Sequence, residues 1–334
     1  MIKVLRSIIS PEFILEKVKK DYNLGMSLSC QLLKACGSND IYEINGDQRY
    51  ILKLYSIRKC WPYTYDHYLF ELEFQKFLYE NNVSVPNPIK NKYGSLISEF
   101  NTLEYRKYYA LYTYLNGTLI NYKKTCDKKL FLFGQNLANM HNIAKEFKPS
   151  TSYKRTVDLD FLIKKSQESI SKYANIKSLK ILKKFNDVAY KLEKKAKLID
   201  LNDLNFGLIH GDMHIINYFY DKKVKTISFF DFELCGYGYY IYDLAVFKWG
   251  LLIFSAHRKK FVHKLFQHVI NGYLSVDNSL EPSLKYIDLF VALRNFFVIG
   301  SGFLLYPETP QHNNESTINK FLQEIGKYLV KNKT

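Results

Sequence analysis

Residues 208–233 read LIHGDMHIINYFYDKKVKTISFFDFE. An apolar pair, Leu208-Ile209, leads into a tight His210-Gly211-Asp212 turn. NYFY and VKTISFF are two strand-like runs joined by the turn residues Asp221-Lys222-Lys223. Asp212 directly follows a strand, which is a rigid perch for a carboxylate. Asn217 comes five residues later and offers an amide oxygen. Asp231 ends the second run, so the turn folds it back towards Asn217. One carboxylate able to take a proton and two hard oxygen donors thus converge on one end of a hairpin. Those are the parts that Mg²⁺-assisted phosphoryl transfer to a hydroxyl requires. Taken singly, Asp212 reads equally as a cap or turn residue, Asn217 as a turn residue and Asp231 as a strand end. Their order and spacing favour the chemical reading.

Working outward, residues 41–45 (IYEIN) and 50–55 (YILKLY) flank Gly46-Asp47 as strand, turn and strand. Lys53 alternates with Leu52 and Leu54. Residues 66–81 have helical spacing through Phe70, Phe74, Phe77 and Leu78, and Pro86 and Pro88 follow. Glu71 and Glu73 of that helix are the candidate partners for Lys53. Glu71 shares the side of Phe74, Gln75 and Leu78, and is the one expected to face inward. Residues 93–100 and 108–115 read as two more strands. Asn116-Gly117 breaks the pattern and helical periodicity dominates afterwards, as over 128–144. The segment 164–197 is dense in lysine, with apolar positions at Ile176, Leu179, Ile181, Leu182, Phe185, Val188 and Leu192. That describes a helical stretch with one buried face and a basic outer one.

The chain has 334 residues, 47% of them hydrophobic, enough for a large core or for two lobes. Its net charge of +16 belongs to lysines spread along the chain, and is read mainly as solvated surface. No nucleic-acid-binding motif accompanies the charge. The five cysteines are scattered and include no CxxC pair, which argues against a disulfide framework or zinc site and for a reducing cytoplasm. The N-terminus reads as a first helix, without a small-residue cleavage site. The apolar stretches 239–256 and 286–306 carry Asp243 and Lys248, and Asp288, Arg294 and Asn295. They are expected to be buried helices and not membrane spans.

HGDxHxxN followed by DFE resembles the catalytic segment of the aminoglycoside phosphotransferase, choline kinase and type II homoserine kinase superfamily. It is similar to the protein-kinase HRD…N…DFG arrangement, with Gly211 in place of Arg and Glu233 in place of Gly. The resemblance implies an α+β, two-lobed protein-kinase-like fold. A small β-rich N-lobe, residues 1–116, would cover the nucleotide, and a larger helical C-lobe, residues 117–334, would hold the catalytic loop and acceptor site. It also implies ATP and Mg²⁺ as cofactors, Asp212 as catalytic base, and Asn217 and Asp231 as metal ligands. Lys53, paired with Glu71, would meet the phosphates. Ser38 and Asn39 lie in a segment resembling the nucleotide-covering loop. Thr113 and Leu115 lie in YTYLNG, which resembles the adenine-receiving hinge. His210 would buttress the loop, and His214 is either a second support or a packed histidine. His141 reads as packed or capping. Asp243 reads as a helix N-cap, while the resemblance suggests that it braces the catalytic loop.

The function implied is transfer of the γ-phosphate to a hydroxyl of a small molecule such as homoserine, choline or an aminoglycoside. The alternatives are a bacterial Ser/Thr stress-type protein kinase and a non-catalytic kinase-fold binding protein. Retention of Lys53, Asp212, Asn217 and Asp231 speaks against the last. The expected partners are a nucleotide and a small acceptor, without nucleic acid or a membrane span.

Overall fold

Alternation along one strand organises the first third of the chain. Strand β3 (Arg49–Tyr55) sends Leu52 and Leu54 into one core and Tyr55 into another, on the opposite face of its sheet. The computed structural model describes residues 7–25, 27–35, 39–55, 64–102, 105–122, 127–173, 178–254, 259–305 and 315–330. These form two compact units. The first runs to Glu80 and includes Val85–Leu115 and Pro149–Tyr153; the second comprises Asn81–Ser84, Asn116–Lys148 and the chain from Lys154.

In the first unit, β1 (Ser29–Ala35), β2 (Asn39–Asn45), β3 and β6 (Arg106–Thr113) pair in that order, all antiparallel. The short strands β4 (Pro88–Ile89) and β5 (Ser98–Asn101) also pair with β6. Helix α1 (Pro11–Asp21) begins with Ser10, whose hydroxyl accepts from Phe13 N at 3.3 Å, and with a proline in its first turn. Its Ile14 and Val18 pack on Tyr42, Ile44, Leu52, Leu54, Tyr109 and Leu111. On the other face, α2 (Tyr65–Glu80) lays Tyr68 and Leu72 against Tyr55, Ala110 and Tyr112. The strand expected over 93–100 is confined to Ser98–Asn101. Before it, the Asn91 side chain accepts from the N–H groups of Tyr93 and Ser95, each at 3.0 Å, and makes a turn with Gly94 at φ +84°.

The described part of the second unit contains α3 (Asp127–Ala144), α4 (Leu159–Tyr173), α5 (Leu179–Ala196), α6 (Tyr240–Phe254), α7 (Lys259–Leu274), α8 (Ile287–Leu305) and α9 (Glu315–Val330). A small sheet joins β7 (Thr156–Val157), β11 (Gly236–Tyr239) and β8 (Phe206–Ile209) in that order. Strands β9 (Tyr218–Asp221) and β10 (Thr226–Phe229) form a separate antiparallel hairpin. The lysine-dense stretch is two helices, because Ser178 caps a new start at α5 by accepting from Ile181 N. Phe185, Val188, Ala189 and Leu192 form the buried stripe. Leu179, expected on it, is 81% exposed at the first position of the helix, and Ile176 lies outside the described residues. No described helix is long and apolar enough to cross a membrane.

Helices α3 and α7 meet backbone to backbone. A Cβ built on Gly134 would lie 2.0 Å from the Val269 carbonyl oxygen, and one on Gly272 would lie 2.0 Å from that of Phe131. Neither neighbour is a side chain that can swing away. Gly134→Ala is therefore expected to destabilise the protein by about 1–3 kcal/mol through overpacking, read as a lower urea midpoint with native far-UV circular dichroism below it.

Candidate active site

In the first unit, Lys53 and Glu71 form a buried ion pair, with Lys53 Nζ 3.0 Å from Glu71 Oε1. The strand alternation that sends Leu52 and Leu54 into the α1 core presents Lys53 to α2. Glu73, one turn-side away, instead accepts from the Ser150 N–H at 3.0 Å. Asn39 opens β2 opposite Tyr55 and is buried; Ser38 lies outside the described residues. Thr113 closes β6. Its hydroxyl accepts from Asn87 N at 2.9 Å, while its own N–H donates to Asn87 O at 3.0 Å. Leu115 follows, half-buried, next to Tyr114, whose ring stacks under the Arg49 guanidinium at 3.7 Å.

In the second unit, β8 delivers the chain into the His-Gly-Asp turn. Asp243 holds that turn from below. Its Oδ2 accepts from His210 N and its Oδ1 from Gly211 N, both at 2.8 Å. The same Oδ2 lies 3.0 Å from His141 Nε2, and His141 Nδ1 lies 2.8 Å from the Tyr273 hydroxyl. His141 also stacks on Tyr240 at 4.3 Å. Asp243 and His141 are fully buried. The N-cap reading of Asp243 is thereby corrected: α6 starts at Tyr240, so Asp243 lies within its first turn and serves the loop, not its own helix. Gly211 has φ +76°, and a Cβ there would stand 2.1 Å from the Leu234 carbonyl oxygen. The position admits no side chain.

His210 bridges the loop to the hairpin. Its Nε2 donates to Phe230 O at 3.0 Å and its Nδ1 accepts from Asp212 N at 3.2 Å, a pattern that assigns the neutral tautomer. Burial lowers its pKa, outweighing the nearby carboxylates. Asn217 follows, with Nδ2 donating to Asp212 O at 2.8 Å and to Asp212 Oδ2 at 3.3 Å. Spending the amide nitrogen on the loop leaves Oδ1 as the atom a cation would meet. Phe230 N donates to Asn217 O at 3.0 Å, so Asn217 and Asp231 are brought side by side. Asp231 is not on the strand, however. β10 stops at Phe229, and Asp231 takes a left-handed conformation (φ 65°, ψ 60°) before a 3₁₀ turn at Phe232–Leu234. That conformation costs an L-residue roughly 1–2 kcal/mol, least for Asn and Asp, and strain of this kind gathers at functional sites. The segment beyond is pinned by buried Arg155, which donates to the carbonyls of Glu233 and, at 3.2 Å, Cys235.

Asp212 itself is partly open, its side chain 19% exposed. Oδ1 pairs with Arg294 Nη2 of α8, and Oδ2 lies 3.5 Å from His214 Nε2. Burial pushes the Asp212 carboxyl up, but Arg294, His214 and His210 together hold it well below the usual carboxylate range. Arg294 was missed by motif reading. The available signal was its position inside the apolar stretch 286–306, since a cation in a buried helix needs an anion. Among the described residues no three His, Cys, Asp or Glu side chains form a metal cluster. An amide oxygen with one carboxylate suits Mg²⁺, which keeps waters and substrate phosphates as its other ligands.

The sequence model of the phosphotransferase enzyme family matches residues 29–277, and the chain belongs to that family. Amicoumacin kinase of Bacillus subtilis is 24% identical over 306 residues, covering 89% of this chain and 86% of that one. The structure of amicoumacin kinase hAmiN in complex with AMP-PNP, Ca²⁺ and Ami superposes with a TM-score of 0.76 at 20% identity, covering 96% and 94% of the two chains. A microcompartment-associated aminopropanol kinase gives 0.72 at 16% identity, covering 95% of each. The fold is accordingly the α+β, two-lobed protein-kinase-like one.

The Gly211 geometry generates a direct test. Gly211→Ala is expected to leave a folded protein by circular dichroism but to abolish phosphotransferase activity, because a Cβ must displace the backbone at Leu234 or the turn carrying Asp212. Wild-type turnover by this variant would contradict the close approach described.

Proposed function

We propose that this protein transfers the γ-phosphate of ATP, with Mg²⁺, to a hydroxyl of a small molecule, with Asp212 orienting that hydroxyl and receiving its proton. The observation that carries the reading is the fastening of Asn217 Nδ2 to Asp212 at 2.8 Å and 3.3 Å, beside Asp231. It supports a site in which a carboxylate able to meet a hydroxyl stands beside one amide oxygen, with Asp231 following Phe230, whose N–H binds Asn217 O. Family membership supports the reaction class.

In this reading Lys53, held straight by Glu71, binds the α- and β-phosphates. The backbone at Thr113 and Leu115 receives the base, with Ser38 and Asn39 over the phosphates. Asn217 Oδ1 and Asp231 hold the cation, which when bound neutralises charge on the phosphate oxygens. Asp212 makes no bond to phosphorus. Arg294 and His214 beside Asp212 favour its ionised form, the form able to orient the hydroxyl and accept its proton. Amicoumacin, aminopropanol, choline and homoserine are the acceptors to try first.

The experiment is ATP consumption over those acceptors and a generic protein substrate. Turnover on a small hydroxyl compound is expected. Asp212→Asn should lower kcat by about 10²–10⁴-fold and leave ATP binding nearly unchanged, and Asp231→Ala should abolish Mg²⁺-dependent turnover. Phosphorylation of the protein substrate alone, a phospho-aspartyl enzyme, or a fully active Asp231→Ala variant would overturn the reading.

A further inference from the structure

The family match ends at residue 277, yet a residue beyond it touches the candidate base. Arg294 lies in the middle of α8, where every residue from Leu289 to Phe297 is buried, and is itself 4% exposed. Its Nη2 binds Asp212 Oδ1. Its guanidinium stands 4.9 Å from the Trp249 ring centroid and 5.8 Å from that of Phe297. Trp249 is locked in turn, its indole N–H donating to Asn295 Oδ1 at 2.8 Å. Helix α6 thus contributes to the loop at two levels. Asp243 fixes the backbone at His210 and Gly211, and Trp249 frames the cation that meets the Asp212 side chain.

This arrangement is a poor device for stability. Burying an arginine costs desolvation that one carboxylate contact repays only in part. Nε and Nη1 of Arg294 make no hydrogen bond, nor does the buried Tyr242 hydroxyl. Arg294 and Tyr242 do interact electrostatically, although no bond of ordinary geometry closes between them. An apolar residue would fill the site at less cost. What the arginine does supply is orientation. Oδ1 is held by Arg294, while Oδ2 faces Asn217 Nδ2 and His214 Nε2, so the carboxylate cannot rotate without breaking contacts on both sides.

We propose that Arg294 is a positioning residue, which fixes the plane of the Asp212 carboxylate against the acceptor hydroxyl without itself touching acceptor or nucleotide. The inference rests on the reading of Asp212 as the group that meets the hydroxyl. It adds the helix beyond the family-matched residues to the parts the reaction needs.

The test is a double-mutant cycle read in kcat, KM for ATP and KM for the acceptor. Arg294→Gln is expected to lower kcat on the order of 10²-fold, the cost of a misplaced catalytic group, with KM for ATP unchanged. Arg294→Lys, which keeps the charge but loses the rigid fork, should recover part of that loss. In an Asp212→Asn background Arg294→Gln should cost nothing more, because the residue acts through the carboxylate. If Arg294→Gln alone fails to fold, Arg294→Lys and the charge-free Asp212→Asn/Arg294→Gln pair carry the same comparison. Wild-type kcat in folded Arg294→Gln overturns the inference, and so does an equal loss with and without Asp212. A fully active Asp212→Asn enzyme sinks the underlying reading of Asp212 as well, which separates the two failures.

Discussion

The buried carboxylate of Asp243 is the constraint on which the second unit's site depends. It accepts from two successive backbone N–H groups of the His-Gly-Asp turn and meets His141 on the same side. Hydrogen bonds to a charged partner contribute about 1.5–3 kcal/mol each, and here the alternative is a charge stranded in a dry interior. The turn therefore has one acceptable position relative to α6. Through it α6 also fixes Asp212, then Asn217, whose side chain is fastened to Asp212, and then Phe230 and Asp231, whose placement follows from Asn217. His141 and Tyr273 extend the same chain of contacts into α3 and α7, the two helices that meet at Gly134 and Gly272. A packing contact between two helices and the aim of a carboxylate belong to one continuous structure.

The first unit uses the same logic on a smaller scale. Lys53 and Glu71 are both buried, and their ion pair offsets part of the cost of taking two charges out of water. Two cores on opposite faces of the sheet hold them: α1 against Leu52 and Leu54, and α2 against Tyr55 and Ala110. Slipping β3 by one residue would send Lys53 into the apolar core beneath α1, so the register is strongly specified by burial.

Much of this was legible in the sequence because it is local. The strand-turn-strand pattern at 41–55, the choice of Glu71 over Glu73, and the convergence of Asn217 with Asp231 follow from periods of 2 and 3.6 and from one hairpin. What escaped are features fixed by distant parts of the chain or by backbone conformation. Arg294 is 82 residues from Asp212, and no spacing rule connects them. Local pattern alone reads Asp243 as a cap, because a carboxylate at a helix start usually serves its own helix; the bracing of the loop that the family resemblance implies is what the structure shows, with partners 32 and 33 residues upstream. Asp231 read as the end of a strand because the pattern of apolar residues continues to Phe230 after the pairing has stopped. Alternation over 93–100 overstates the strand, because Asn91 ties its side chain into a turn that alternation does not register.

The space at Gly211 bears on control. In protein kinases the corresponding arginine can receive a phosphate from the segment that follows the metal-binding aspartate, which makes the order of that segment conditional on a modification. Here a Cβ would lie 2.1 Å from the Leu234 carbonyl, so the turn has no seat for a receiver. The order of the following segment is supplied from within: Arg155 binds the carbonyls of Glu233 and Cys235, and Gly236–Tyr239 runs as a strand between two others. The segment after Asp231 is thus ordered by a side chain and by strand pairing within the chain itself, contacts that do not depend on an added phosphate.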